Sequence, residues 1–236
     1  MQLALQLKAM TSLAVIPARA GSTRLKNKNI YPLGGKPLIR WTVEAVLNSG
    51  VFDKVVISTD GEHIFDAVKD LPVERHIRPE DHATVTATAL DAMINLMDDY
   101  KSGDFDNFAY FLPTCPFVSP EDIRSGFEML DEKTDFVISM TEMPAPIQLA
   151  CIMKDDNVVP VFDNLTAGLT NSKFIQKYHK PSGAFYMGKW NKILTHKNFF
   201  KGNVKGVLMP KARCVDIDDI DDINFAESVI ERERND

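Results

Sequence analysis

Two groups of residues in this sequence have the types and spacing to handle a charged substrate. The first is Ile16-Pro17-Ala18-Arg19-Ala20-Gly21-Ser22-Thr23-Arg24-Leu25-Lys26-Asn27-Lys28-Asn29. It gathers Arg19, Arg24, Lys26 and Lys28, with Lys36 a little later, around a glycine and a serine whose N–H groups can face an anion. An arginine can clamp phosphate oxygens with its planar fork, while a lysine acts as a point charge. Such a loop suits a polyphosphate. It is neither the Walker pattern, which needs Gly-Lys-Ser/Thr opening a helix, nor the dinucleotide GxGxxG. The second group is Val215-Asp216-Ile217-Asp218, read as a strand. Carboxylates at i and i+2 share one face of a strand and can hold a hard divalent cation, with phosphate oxygens and waters completing an octahedron. Asp219, Asp221 and Asp222 are read as favourable charges at a helix N-terminus.

Positioning these groups requires a scaffold, and the hydrophobic pattern supplies one. Ser12–Ile16 reads as a buried strand, and Pro37–Asn48 as a helix with Ile39, Val43, Val46 and Leu47 at helical spacing and Gly50 beyond its end. Strand Lys54–Ser58, helix Glu62–Lys69, short strand Val73–His76 and helix Thr86–Asp99 continue the alternation. Asn107–Leu112 is a strand, Pro120–Asp131 a helix with Ser119 as N-cap and Pro120 at N1, and Asp135–Thr141 a strand. After Met143 the rhythm changes to strands without helices: Pro146–Met153, Val158–Val161 and Gly183–Met187. Val204–Met209 and Cys214–Ile217 return to the core, and Ile220–Arg232 closes the chain as a helix. The expected fold is α/β, a doubly wound, mostly parallel, Rossmann-like sheet, which binds ligands beyond the carboxyl ends of its strands. Residues 1–236 are expected to form a single domain, with a small dimerisation and sugar-side extension within 144–200.

Composition narrows the function classes. A chain of 236 residues with 44% hydrophobic and 25% charged residues has the make-up of an ordinary globular protein. Its net charge of −6 argues against a nucleic-acid or membrane-surface partner, so phosphate binding must come from a local basic loop. Cys115, Cys151 and Cys214 have no zinc-ligand spacing and no disulfide framework, and are expected to be reduced thiols. Met1–Ala20 lacks a basic n-region, and Lys8 interrupts its apolar run, so it reads as leading into a first strand rather than as a targeting signal. No run approaches the roughly 18 apolar residues of a membrane span. The expected location is cytoplasmic.

Pro17-Ala18-Arg19-Ala20-Gly21-Ser22 with Lys28-Asn29-Ile30, then Leu33-Gly34-Gly35-Lys36-Pro37-Leu38, resembles the opening of the acylneuraminate cytidylyltransferases, which make CMP-sugar acids from CTP. Ser58-Thr59-Asp60 and Arg78-Pro79 fit the same family, and the similarity covers essentially the whole chain. The resemblance implies a nucleotidyltransferase in which Arg19 and Lys28 contact the triphosphate, supported by Gly21, Ser22 and Asn29, with Arg78 near the cytosine. Small residues at Ala18 and Ala20 leave room for the base. Where the family has an Asp seven residues after that arginine, this chain has Val85, and Thr86 and Thr88 are the substitute polar contacts. Asp216 and Asp218 match the family's Asp-x-Asp, which implies Mg²⁺ as the cation and completes a catalytic set with Arg19 and Lys28.

The resemblance also speaks to the sugar. Gly183-Ala184-Phe185-Tyr186 matches a strand lining the sugar pocket, with Ser182 where an asparagine commonly stands. Phe199-Phe200 matches an aromatic pair that a neighbouring subunit supplies, which implies a homodimer, and Lys173 and Lys180 lie where basic residues meet the sugar carboxylate. Leu112-Pro113-Thr114-Cys115-Pro116-Phe117 resembles a Gln-Pro-Thr-Ser-Pro-Leu segment, with Leu112 replacing a sugar-contacting glutamine. Pro146-Ile147-Gln148 is closer to the pseudaminic-acid branch, and Gln148 is the candidate to compensate. The implied reaction transfers CMP from CTP to the anomeric hydroxyl of a nonulosonic acid, N-acylneuraminate foremost, with pseudaminic or legionaminic acid as the alternative. An octulosonic-acid enzyme shares the fold, but its typical segment is not matched by Leu112–Phe117. A non-catalytic nucleotide- or sugar-binding protein on the same fold stays open, because fold does not dictate function.

Overall fold

Strand alternation builds two cores on either side of one sheet. In the first strand, β1 (Ser12–Pro17), Ala14 and Ile16 point into one apolar cluster while Leu13 and Val15 point into another. Buried on both faces, such strands read as continuous apolar runs, as parallel central strands do. The structure is a computed structural model that describes residues 11–78, 89–100, 103–171 and 173–235.

A two-residue ribbon, β2 (Pro32–Leu33) against β3 (Lys36–Pro37), leads into helix α1 (Leu38–Ser49), which Gly50 ends in a left-handed conformation with φ 68°. Next come β4 (Lys54–Thr59), α2 (Glu62–Asp66), β5 (Glu74–Ile77), α3 (Ala89–Asp98) and β6 (Asn107–Phe111). Then follow α4 (Pro120–Glu128), β7 (Phe136–Glu142), β8 (Cys151–Lys154), β9 (Asn157–Pro160) and β10 (His179–Lys189). The chain ends with α5 (Trp190–His196), β11 (Val204–Leu208) and α6 (Ile220–Asn235). The main sheet has seven strands in the order β11-β7-β10-β6-β1-β4-β5, and all but β10 point the same way. Helices α1, α2 and α4 cover one face through Ile39, Val43, Ile64 and Ile123. Helices α3 and α5 cover the other through Met93, Leu96, Trp190 and Ile193. This is the doubly wound arrangement expected.

Several boundaries differ from expectation, each for a local reason. Helix α2 stops at Asp66, and Pro146–Met153 is not one strand but a 3₁₀ turn over Ile147–Leu149 followed by β8. The short helix α5 had no clear periodic signal, because only Trp190 and Ile193 of its seven residues are buried. Cys214–Ile217 pairs with no strand among the described residues. Within the stretch 144–200, strand β10 belongs to the central sheet; the excursion proper spans 144–178 and carries the separate β8–β9 hairpin. Its apolar side chains are widely exposed, with Met153 at 64% and Phe174 at 87%. No helix among the described residues is long and apolar enough to cross a membrane.

The single reversed strand carries a bulge that matters for the site. Pairing of β10 with β7 shifts between Pro181 and Tyr186, so part of the ladder is lost. Ser139 replaces it: its hydroxyl accepts from the Phe185 N–H (2.9 Å) and donates to the Phe185 carbonyl (3.0 Å) in a fully buried position. Substituting Ser139→Ala leaves both Phe185 backbone groups without this partner. The expected cost is about 1–3 kcal/mol, read as a lower urea midpoint with an unchanged slope.

Candidate active site

The loop after β1 leaves the sheet under tight backbone control. The Ala18 N–H donates to the Ser58 carbonyl (2.8 Å), extending the parallel pairing by one residue. The Ala20 N–H then donates to Asp60 Oδ1 (2.6 Å), at the carboxyl end of the neighbouring strand. Ala18 is buried, and a Cβ on Gly61 would sit 2.8 Å from that of Ala20, so both alanines stand where little space is left. Further along, Leu25 plugs into the apolar cluster under α6. Asn29, itself buried, donates its amide to the Arg19 carbonyl (2.9 Å), while its Oδ1 is buried with no partner among the described residues. The loop is thus closed on itself by Asn29. Arg19 is exposed, with no acidic partner among the described residues, and the space above Gly21 is open.

The acidic segment reaches the same place from the other end of the chain. Asp216 and Asp218 do not end a strand, contrary to expectation, because the segment forms no ladder. Alternation survives for another reason: Val215 and Ile217 are buried beside α6, which turns the two carboxylates the other way. The Ile217 N–H donates to the Thr114 carbonyl (2.8 Å). Lys28 Nζ lies 2.9 Å and Arg24 2.8 Å from Asp218 Oδ1, bridging about 190 residues of sequence. Asp222 accepts from the N–H groups of Asp218 (2.8 Å) and Asp219 (3.1 Å), and Asp219 from those of Asp221 and Asp222. These two aspartates organise the start of α6, as read from their position at a helix N-terminus.

Electrostatics separate the two carboxylates. Desolvation raises the pKa of Asp216; a hydrogen bond from Thr114 opposes this, and the charge of Asp218 adds to it. Desolvation also acts on Asp218, but the hydrogen bonds and charges of Lys28 and Arg24 outweigh it and hold that carboxyl below its usual range. Among the described residues no three ligating side chains cluster. Two carboxylates alone suit a hard ion that keeps waters and takes substrate phosphate oxygens, the habit of Mg²⁺, and do not make a closed zinc site. The donor set therefore fits the ion.

Around this pair the rim of the sheet supplies the remaining candidates. Arg78 follows β5, its N–H bonded to the Thr59 carbonyl (3.0 Å) and its Nε buried without a partner among the described residues. Leu112 follows β6. A Cβ built on Gly183 would meet Cys115 Sγ at 3.1 Å, Leu112 Cδ1 at 3.6 Å and Asp216 Oδ2 at 3.9 Å, so these residues share one patch of wall. Gly183 has φ 88°, which side chains rarely adopt, and the β10 bulge aims it there. Tyr186 is half-buried, its ring 4.9 Å from that of Phe199, and Asp216 is among the charges acting on its hydroxyl.

Other expected residues lie elsewhere. Phe199 is buried in its own core against Phe136 and Tyr186, so it is not offered to a neighbouring subunit as the resemblance implies; only Phe200 is exposed. Gln148 sits on the excursion, its amide donating to the Gln176 carbonyl (3.0 Å), and Lys173 is exposed on the same piece. Neither is hydrogen-bonded to the cleft among the described residues, so nothing in the subunit shows Gln148 compensating for Leu112. Lys180 lies on β10, also exposed. Ser22 is half-buried in the loop, whereas Thr86 and Thr88 lie outside the described residues. Asp60, Thr114 and Cys115 were not singled out as contacts of the site, although each lies in a segment that resembles the family; their further signal is position, just after the carboxyl ends of parallel strands.

Comparison with known proteins follows this geometry. Residues 13–201 match the cytidylyltransferase family. The chain is 32% identical over 223 residues to a pseudaminic acid cytidylyltransferase of Campylobacter jejuni, covering 92% of this chain and 95% of that one. It is 33% identical over 229 residues to the CMP-N,N'-diacetyllegionaminic acid synthase of Legionella pneumophila, covering 94% and 97%. It is also 33% identical over 216 residues to an N-acylneuraminate cytidylyltransferase of Escherichia coli, covering 91% of this chain and 51% of that one. In fold it resembles CMP:2-keto-3-deoxy-manno-octonic acid synthetase in complex with CTP, with a TM-score of 0.67, 15% identity and coverage of 94% and 99%.

The raised pKa of Asp216 carries a stability consequence. Its charge costs the folded protein more than the unfolded chain, so the penalty is full above the raised pKa and vanishes below the ordinary aspartate range. Asp216→Asn is therefore expected to raise the urea midpoint of the ligand-free protein at pH 7, with the gain disappearing near pH 3. An equal or lower midpoint at pH 7 contradicts this.

Proposed function

The chain belongs to the cytidylyltransferase family, and from that membership we propose that it transfers CMP from CTP to the anomeric hydroxyl of a nonulosonic acid. The observation that carries this reading is the meeting of Lys28 with Asp218, which puts a phosphate-binding loop and a cation-binding pair in one cleft. The hydroxyl oxygen of the sugar attacks the α-phosphorus of CTP, the bond to the β-phosphate oxygen breaks, and pyrophosphate leaves. Arg19 grips triphosphate oxygens with its exposed fork, while Lys28 offsets the charge that develops on them. Gly21 and Ser22 line the phosphates with backbone N–H groups, and Asn29 keeps the loop closed. Ala18, Ala20 and Arg78 are assigned to the base, together with Thr86 and Thr88. One of the two aspartates is assigned to take up the proton of the attacking hydroxyl. Mg²⁺ held by Asp216 and Asp218 would supply Lewis-acid stabilisation of the phosphoryl oxygens.

Leu112 and Tyr186 are assigned to the sugar, with Gly183 between them and Asp216. N-acylneuraminate is the first candidate acid. Pseudaminic or legionaminic acid is the second reading, favoured by the apolar Leu112 and by near full-length similarity to enzymes named for those acids. The excursion 144–178 is assigned to homodimerisation, on the strength of its exposed Met153, Val158 and Phe174. Phe200, Gln148 and Lys173 are then assigned to a partner's cleft. The three free cysteines support a reducing compartment, the cytoplasm.

Pyrophosphate release from CTP and Mg²⁺, assayed with each of the three acids, tests the reaction and ranks the sugars. Release is expected with at least one, and none with any contradicts the reading. Asp218→Asn is expected to lower turnover at least about a hundredfold, and near-normal turnover would remove Asp218 from the metal site. For the assembly, sedimentation should find a dimer in the parent protein and a monomer in Phe174→Asp/Met153→Asp. A parent monomer contradicts the assignment.

A further inference from the structure

The segment bearing Asp216 and Asp218 pairs with no strand, so something other than a ladder must fix it. Its Asp218 end is held by Lys28, Arg24 and the start of α6, and the rest of it is fixed to one stretch, Leu112–Asp122. At one end, Arg213 forks onto Asp122: one guanidinium nitrogen donates to Oδ2 and the other to Oδ1 at 3.1 Å. The first also reaches the Phe117 carbonyl at 3.3 Å. At the other end, the Ile217 N–H bonds to the Thr114 carbonyl (2.8 Å), next to Asp216 in the chain.

Asp122 is itself immobilised. Its Oδ2 also accepts from the N–H (2.9 Å) and hydroxyl (2.8 Å) of Ser119, in the capping box that starts α4. Only 11% of its side chain is accessible, against 25% for Arg213, so the pair is shielded more than a surface salt bridge. Asp216 therefore stands between the Arg213 fork and the Thr114–Ile217 bond, and loss of the fork frees the side of the segment that α6 and Lys28 do not hold.

We propose that Arg213, through Asp122 and the Phe117 carbonyl, is a positioning residue that holds Asp216 and Asp218 at the spacing required to bind the divalent cation beside the phosphate loop. This rests on the cytidylyltransferase reading of the cleft. Arg213 touches neither substrate nor cation. A lysine can return the charge but cannot occupy both carboxylate oxygens and the carbonyl together.

Mn²⁺ binding, followed by electron paramagnetic resonance in the presence of CTP and without sugar, tests this apart from turnover. Arg213→Lys and Arg213→Met are expected to weaken Mn²⁺ by about 10–100-fold, the range for partners that orient a metal ligand. CTP binding without metal should change less than about twofold. Arg124→Met is the structural control: Arg124 is also on α4 but bonds the Asn48 (3.1 Å) and Ser49 (3.3 Å) carbonyls at the end of α1. It should lower the urea midpoint and leave Mn²⁺ affinity unchanged. If Arg213→Met does not fold, Arg213→Lys carries the test. Normal Mn²⁺ affinity in folded Arg213 variants overturns the proposal, as does equal weakening in Arg124→Met or a parent protein that binds no Mn²⁺ with CTP. Absence of pyrophosphate release with every acid, alongside the expected Mn²⁺ result, would instead fault the catalytic reading and leave the clamp standing.

Discussion

One carboxylate from the C-terminal part of the chain pairs with two cations from its N-terminal part, offsetting one of their two charges. Arg24 and Lys28 both reach Asp218. A loop that gathers several positive side chains around exposed N–H groups repels itself when no anion is present, and Asp218 relieves that repulsion without filling the loop. Because Asp218 is only partly enclosed, the pair is screened and can be rearranged when a polyphosphate arrives. Lys28 then has two anionic neighbours rather than one. The low pKa of Asp218 keeps it charged throughout, while Asp216, which has no such cationic pair, is the more easily protonated.

The rest of the fold serves that meeting. Parallel strands β1, β4, β5 and β6 deliver the basic loop, Asp60, Arg78 and Leu112 to one edge of the sheet. The reversed β10 brings the opposite end of a strand to the same edge, and its bulge places Gly183 against Cys115 and near Asp216. Cys115 is buried and its thiol is pushed well up by desolvation, so it is wall rather than nucleophile.

Much of this scaffold is legible from pattern alone. The strands at Ser12 and Asn107 are apolar on both faces, and Ser119-Pro120 marks the start of α4 as N-cap and N1, to which the structure adds Asp122 in a capping box. The loop of Arg19–Asn29 stands out in the sequence as a candidate anion site because its charges are contiguous. Cys214–Ile217 misleads because alternation reports which side chains are buried, not whether the backbone has a strand beside it. Phe199 misleads for a related reason: an aromatic at a familiar spacing can face its own core as well as a partner. The contact of Lys28 with Asp218, and that of Arg213 with Asp122, depend on the crossing of distant segments, for which a single sequence holds no periodic signal.

The excursion between β7 and β10 leaves and returns at neighbouring points. Glu142 pairs with His179, and the Met143 N–H bonds to the Tyr178 carbonyl (2.9 Å). A segment whose two ends are already joined by the sheet can be lengthened, shortened or exchanged at small entropic cost, since closure entropy grows only with the logarithm of length. The closing of the excursion at the sheet thus does not depend on the length of the piece 144–178. Selection can rewrite the piece, and with it whatever the piece touches, while the register that aligns the cleft is inherited intact.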